Sequence, residues 1–157
     1  MLPSAYIETS VISYLTGRQS RDSIAAAHQE LTRDWWDRRR ARFEIYVSEL
    51  VVQEASRGDA AAARARLEVI TGYPVLRVNA DAQRLADRIL TLAVLPSKAA
   101  ADALHIALAA VTGMNFLVTW NCTHIANGFV LQKVNSLCRD AGYEPPVVCT
   151  PQELMEG

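Results

Sequence analysis

The sequence predicts an α/β fold, a three-layer α/β/α sandwich around a central, mostly parallel sheet of four to five strands. Short apolar runs alternate with helical segments along the whole chain, a pattern typical of parallel sheets covered by helices on both faces. Half of the 157 residues are hydrophobic, whereas glycine and proline are scarce, which indicates one globular domain over residues 1–157 with a sizeable core. Neither an internal repeat nor a linker interrupts this pattern.

The first half of the chain is predicted to contain two strands and four helices. Gly17 breaks the first helix, Ser23 and Ser48 are good N-caps for the next two, and Gly58 ends the third. In order, these segments are a strand at residues 5–7, helices at 11–16 and 24–42, a strand at 44–47, and helices at 49–56 and 59–70.

The second half continues the alternation. Asn79 or Asp81 caps the helix after the third strand, Gly142 stops a later one, and Thr150 followed by Pro151 is a typical helix start. The predicted segments are a strand at residues 74–78, helices at 82–93 and 99–111, a strand at 115–119, a helix at 128–141 and a strand at 145–150.

Asp102 is the most unusual residue of this second half. Its helix, residues 99–111, is apolar around its whole circumference apart from Asp102 and His105, and such a helix belongs in a protein interior. A buried carboxylate is costly unless it is paired, hydrogen-bonded or bound to a metal. Asp102 therefore predicts a compensating group, and its place in the first helical turn suits a negative charge.

Further polar residues follow the predicted strands. Glu8 closes the first strand, Glu54 lies two helical turns after the second, and Asn121 follows the fourth. Ligands of parallel sheets bind beyond the carboxyl ends of the strands. Carboxylates gathered there repel one another unless a cation lies among them, and Mg²⁺ or Mn²⁺ suits carboxylate, amide and water ligands. The sequence therefore predicts a divalent metal site that includes Asp102.

Each of these residues also has a simpler interpretation. Glu8 could end its strand in solvent, although the apolar residues on both sides favour burial. Glu54 could be a surface residue paired with Arg57, which the sequence alone slightly favours. Asn121 could be a turn residue or a helix cap. His105 is interpreted as a core histidine bonded to the backbone rather than as a catalytic base.

Composition argues against several other classes of protein. No apolar run reaches the roughly 18 residues needed to cross a bilayer, and the N-terminus lacks the features of a secretory signal. Three scattered cysteines favour buried thiols in a reducing cytoplasm, and Cys122 with His124 has no second ligand pair for structural zinc. The net charge of −1 is unlike that of strongly basic nucleic-acid-binding domains. The arginines within residues 33–42 are read first as a solvated helix face, and second as a positive rim for phosphates.

Five short motifs in a fixed order carry a resemblance to a known family. They are YIETSVISYL at residues 6–15, VSELVVQE at 47–54, DALHIALA at 102–109, LVTWN at 117–121 and VCTPQEL at 148–154. Together they resemble the PIN-domain nucleases, particularly the VapC-type toxins of bacterial type II toxin–antitoxin systems. No single motif is specific, but the ordered set covers nearly the whole chain.

The resemblance implies a PIN-like fold and a cytoplasmic, metal-dependent endoribonuclease that leaves a 5′-phosphate and a 3′-hydroxyl. It implies that Glu8, Asp102 and Glu54 bind Mg²⁺ or Mn²⁺ and that Asn121 completes the catalytic site, with Thr9 or Thr119 orienting it. It also implies an RNA substrate, a homodimer, and a cognate antitoxin that fills the acidic groove.

Two departures from the family pattern keep a second function open. Glu8 and Asn121 each stand where the family usually has aspartate, so the site carries one carboxylate fewer and should hold a second cation less well. A catalytically weak PIN-like domain that binds RNA or a protein partner is therefore the alternative. A phosphotransfer domain ranks last, because Asn79 follows the third strand and Lys133 lies inside a helix. Glycine-rich phosphate-binding loops are absent from the sequence.

Overall fold

A five-stranded parallel sheet forms the centre of the computed structural model, which describes residues 1–93 and 95–157. The strands are β1 (Ser4–Ile7), β2 (Glu44–Ser48), β3 (Val75–Leu76), β4 (Phe116–Val118) and β5 (Val147–Cys149). Their order is β3-β2-β1-β4-β5, and every neighbouring pair is parallel. The strand order reverses between β1 and β4, where open α/β sheets bind their ligands. The predicted α/β class is confirmed.

Helices flank this sheet, as predicted. Within the described residues they are α1 (Thr9–Thr16), α2 (Ser23–Arg39), α3 (Glu49–Ala55), α4 (Ala60–Ile70), α5 (Ala80–Leu92), α6 (Ala100–Val111) and α7 (Gly128–Asp140), with short 3₁₀ turns at Arg40–Arg42, Ser97–Ala99 and Gln152–Leu154. The helix α1 packs against α2, α3 and α4, whereas α5 packs against α6 and α7. None of the described helices is both long and apolar enough to cross a membrane.

Polar side chains begin the helices near the predicted positions. Ser48 accepts a hydrogen bond from Val51 N at 3.1 Å and Asn79 caps α5, as predicted. The prediction of Ser23 as the cap of α2 is wrong by one residue, because Asp22 accepts the bond from Ala25 N instead, at 2.8 Å. Local sequence thus located each helix start to within about one turn.

The strand β3 is shorter than the predicted 74–78. Val78 N donates its hydrogen bond to the carboxylate of Glu49, at 3.1 Å. The neighbouring strand β2 ends at Ser48, opposite Leu76, so β3 has no strand to pair with beyond that point and the side chain of Glu49 takes the next amide.

The strand β1 and the helix α6 form the middle of the core. Ala5, Tyr6 and Ile7 are fully buried, since β1 has strands on both sides. The helix α6 is buried along most of its length, as its apolar circumference predicted. Two of the three cysteines are buried, but Cys122 is exposed, so the expectation of buried thiols is wrong for that residue.

Candidate active site

Glu8 lies at the carboxyl end of β1 and is 6% exposed. It is also the N-cap of α1, and its carboxylate accepts hydrogen bonds from Ser10 N at 3.1 Å and from the Ser10 hydroxyl. Thr119, at the end of β4, donates a third bond at 2.6 Å. The alternative of a solvent-exposed strand end is therefore excluded, and three donors from two chain segments orient this carboxylate.

Glu54 is half-buried on α3 and faces the same region. Its Oε1 accepts a hydrogen bond from Thr9 Oγ1 at 2.7 Å, and the same oxygen lies 2.6 Å from His105 Nε2. Burial acts to raise the pKa of Glu54, but the hydrogen bonds from His105 and from the Thr9 hydroxyl, together with the charge of Arg57, outweigh it and hold this pKa below its usual value. The structure therefore shows Glu54 hydrogen-bonded to Thr9 and His105 rather than as an exposed surface residue.

His105 connects the acidic residues to the core. Its ring is fully buried on α6, and its Nδ1 lies 2.7 Å from the hydroxyl of Tyr6, which in turn lies 2.7 Å from Ser48 Oγ. The expectation of a histidine bonded to the backbone is therefore wrong, since both ring nitrogens meet side chains. A neutral imidazole donates from one nitrogen and accepts at the other. In that neutral form Nε2 donates to the ionised Glu54, which can only accept, and Nδ1 accepts from Tyr6.

Glu8, Glu54 and His105 form the compact centre of the site. One ligand atom from each lies within 4.8 Å of the other two, and His105 Nε2 is 4.0 Å from Glu8 Oε2. The two carboxylates in this arrangement could hold a single metal ion, while His105 orients the carboxylate of Glu54. Sequence reasoning did not include His105 in the site, although its position three residues after Asp102, on an otherwise apolar helix, was an available signal.

Asp102 is compensated by a different group. Its side chain is 20% exposed, and its Oδ2 lies 2.9 Å from His124 Nδ1. Asn121 accepts a hydrogen bond from His124 N at 3.0 Å, and Asn121 N donates to Thr119 Oγ1 at 2.9 Å. Asn121 therefore acts as a turn residue, which is the simpler of the two interpretations of its sequence position. The structure brings Asp102 and Asn121 together through His124, and it brings Glu8 and Glu54 together beside His105.

Comparison with known families supports the assignment that the five motifs suggested. The model of the PIN domain family matches residues 5–121 of this chain. That range includes Glu8, Glu54, Asp102, His105 and Asn121. His124 lies beyond it. No curated protein sequence is significantly similar to this chain.

Solved structures share the fold at low sequence identity. VapC20 of Mycobacterium tuberculosis, described as a toxin that cleaves the sarcin–ricin loop, is 18% identical with a TM-score of 0.57, and the match covers 91% of this chain and 100% of that one. VapBC2 of Rickettsia felis, bound to a DNA fragment from its promoter, is 15% identical with a TM-score of 0.51 over 76% and 89% of the two chains. PAE2754 of Pyrobaculum aerophilum is 21% identical with a TM-score of 0.51 over 90% and 98%.

Proposed function

Because this chain belongs to the PIN domain family, we propose that it is a metal-dependent endoribonuclease of the VapC toxin type, inhibited by a cognate antitoxin. The observation that best supports the proposal is the group of Glu8 at the carboxyl end of β1, Glu54 on α3 and His105 on α6. The shared fold with a toxin that cleaves the sarcin–ricin loop and with a VapBC complex supports an RNA substrate and an antitoxin partner.

The donor set at this centre fits a divalent cation. Two carboxylates and an imidazole lie within 4.8 Å of one another, and in the described part of the chain no lysine or arginine hydrogen-bonds to either acid. Glu8 and Glu54 would hold the ion, with Asp102 as the third proposed ligand through the oxygen that His124 does not engage. Carboxylate oxygen ligands suit both Mg²⁺ and Mn²⁺. A bound cation supplies charge that polarises the scissile phosphate and lowers the pKa of an attacking water.

The residues around the centre hold each acid in one orientation. Thr119 and Ser10 donate to Glu8, while Thr9 and His105 donate to Glu54. These donors keep the carboxylate oxygens aimed at a common point, so little reorganisation is needed when substrate arrives. The chain thus supplies a preorganised acidic centre at the point where the strand order reverses.

Cleavage of a fluorogenic single-stranded RNA in Mn²⁺ or Mg²⁺ tests the proposal. We expect Glu54→Gln to lower the rate by at least about 100-fold, because even partners of metal ligands are typically worth 10–100-fold. The matched control is Glu49→Gln in the same helix, since an amide oxygen can still accept the bond from Val78 N. Equal rates for the wild-type protein and Glu54→Gln would contradict the nuclease assignment.

Thermal unfolding provides a measurement of metal binding that does not depend on activity. A cation that binds only the folded state should stabilise it by about 2.7 kcal/mol at 100 times its Kd, which is roughly 5–11 °C in Tm for a chain of 157 residues. The shift should saturate with Mn²⁺ concentration and shrink strongly in Glu8→Gln. A Tm that does not respond to Mn²⁺ would argue against a metal centre.

One observation favours the second candidate, a PIN-like module that binds RNA or a protein without cutting it. The side-chain oxygen of Asn121 is engaged by His124 N, which leaves it less free to serve a cation. RNA retained in a gel-shift assay without any cleavage product would favour this module.

We also propose that residues 1–157 form one domain, which is supported by the buried cluster that the described residues share. We propose in addition that the protein is a homodimer, which is supported by the family resemblance.

A further inference from the structure

Three aromatic side chains, on α1, on α2 and directly after β4, form what we name the aromatic triad: Tyr14, His28 and Trp120. The imidazole of His28 stacks on the indole of Trp120, with ring centroids 4.0 Å apart and planes at 12°. Tyr14 meets both rings edge-on, at 5.6 Å from His28 and 6.3 Å from Trp120. The metal centre described above uses none of these residues.

The triad is adjacent to the acids along two elements. Trp120 directly follows Thr119, the donor to Glu8, and Trp120 N donates to Ser10 Oγ at 2.9 Å. Tyr14 lies one turn beyond Ser10 on α1, on the same face of the helix. Trp120 is therefore one residue from Thr119, and Tyr14 is one helical turn from Ser10, the two residues that donate to Glu8.

The base of the triad is rigid. Trp120 is 8% exposed, and its Nε1 donates to Thr32 Oγ1 at 2.7 Å. Thr32 is itself fully buried, and its hydroxyl donates to the carbonyl oxygen of His28. One hydroxyl thus fixes both the indole and the helical turn that carries the imidazole.

The outer members of the triad have polar groups without a partner. Tyr14 and His28 are only half-buried, and among the described residues neither the phenol oxygen of Tyr14 nor a ring nitrogen of His28 makes a hydrogen bond. Packing alone would be served as well by apolar side chains. A stacked, partly exposed ring with free donors and acceptors is instead the chemistry that holds an unpaired nucleobase.

Charge strengthens this argument. The chain has a net charge of −1, and the nearby centre is acidic, so general attraction to phosphates supplies little affinity for RNA. Stacking on a neutral base is not weakened by that charge. We propose that the aromatic triad binds an unpaired nucleobase next to the cleaved phosphate, an inference that rests on the proposed ribonuclease function.

The test combines variants of His28 with RNA that lacks a base. The cleavage site in a single-stranded RNA is mapped first, and the base on each side of it is then replaced in turn by an abasic ribose. Cleavage in Mn²⁺ is measured for the wild-type protein, His28→Ala, His28→Phe and, as the control, Phe129→Ala. Phe129 is an exposed aromatic residue on α7 that lies outside the triad.

We expect His28→Ala to raise KM by about tenfold with kcat within about twofold, within the range typical of base stacking. One abasic position should raise the wild-type KM by a similar factor and have no further effect on His28→Ala. His28→Phe should retain most of the affinity because it keeps a stacking face, and Phe129→Ala should behave as the wild type. If His28 had a purely structural role, the increase in KM from the abasic RNA would be the same in the wild-type protein and in His28→Ala.

The outcomes separate this inference from the proposed function. Two results would overturn the inference alone in a protein that cleaves RNA. One is that the increases in KM from the abasic position and from His28→Ala multiply independently, and the other is that His28→Phe binds as weakly as His28→Ala. In either case the triad serves packing or forms a protein-binding surface. If the wild-type protein cleaves no RNA in either metal, the proposed function is overturned and the inference falls with it.

Discussion

Replacing Tyr6 by phenylalanine isolates the contribution of one buried hydroxyl to the site. The Tyr6 hydroxyl lies 2.7 Å from both His105 Nδ1 and Ser48 Oγ, in a part of β1 that is fully buried. Burial raises the pKa of Tyr6 well above its usual value, so the hydroxyl keeps its proton and can donate to His105. Tyr6→Phe removes this donor and keeps the volume of the ring.

The expected cost follows from the groups that lose a partner. Ser48 Oγ still accepts from Val51 N in the variant, at 3.1 Å, so the main loss falls on His105 Nδ1. A buried acceptor left without a donor costs about 1–3 kcal/mol, and no cavity forms beyond the missing oxygen. For a chain of 157 residues this is roughly 2–12 °C in Tm.

Denaturant unfolding measures this cost, and Tyr46→Phe is the matched control. Tyr46 pairs with Tyr6 across β1 and β2, and its hydroxyl makes no hydrogen bond among the described residues. We expect a lower midpoint with an unchanged m-value for Tyr6→Phe and little change for Tyr46→Phe. Nitrogen NMR of His105 should show hydrogen on Nε2 in the wild-type protein and a less uniform tautomer in Tyr6→Phe.

Two results would refute the reasoning about this chain of hydrogen bonds. One is a Tyr6→Phe variant within about 0.5 kcal/mol of the wild-type free energy of unfolding, the range typical of surface substitutions. The other is a wild-type His105 whose hydrogen resides on Nδ1, because Glu54 would then lose the hydrogen bond from His105.

Two further predictions concern His124 and the cysteines. His124→Ala removes the imidazole that orients Asp102. We expect this variant to bind Mn²⁺ roughly tenfold more weakly in a calorimetric titration. Unchanged or tighter binding would show that His124 has no positioning role. Burial raises the pKa of Cys138 to about 11 and that of Cys149 to about 12, whereas Cys122 is exposed. A thiol reagent at neutral pH should therefore modify one cysteine in the folded protein and three after unfolding, and rapid reaction of all three in the native state would contradict this burial.

Most of the fold was predictable because its signals are local. The alternation of apolar runs with capped helices predicted the parallel sheet, and the apolar circumference of α6 predicted its burial. The error at β3 arose because a distant element, and not the local pattern, set where the strand ends. The strand β3 ends early because its neighbour β2 ends at Ser48, opposite Leu76, and nothing near residue 78 indicates that Glu49 then accepts the hydrogen bond of Val78 N.

The sequence by itself predicted the acidic residues of the candidate site: Glu8 and Glu54 follow strands, and Asp102 interrupts an apolar helix. Only the tertiary structure decided how they are grouped. His105 meets Glu54 across 51 positions and Tyr6 across 99 positions of the chain, and Asp102 pairs with His124 instead of joining that group. Such partners depend on how α6 packs against β1 and α3, and the hydrogen-bonding needs of a buried side chain do not specify which distant atom will meet them.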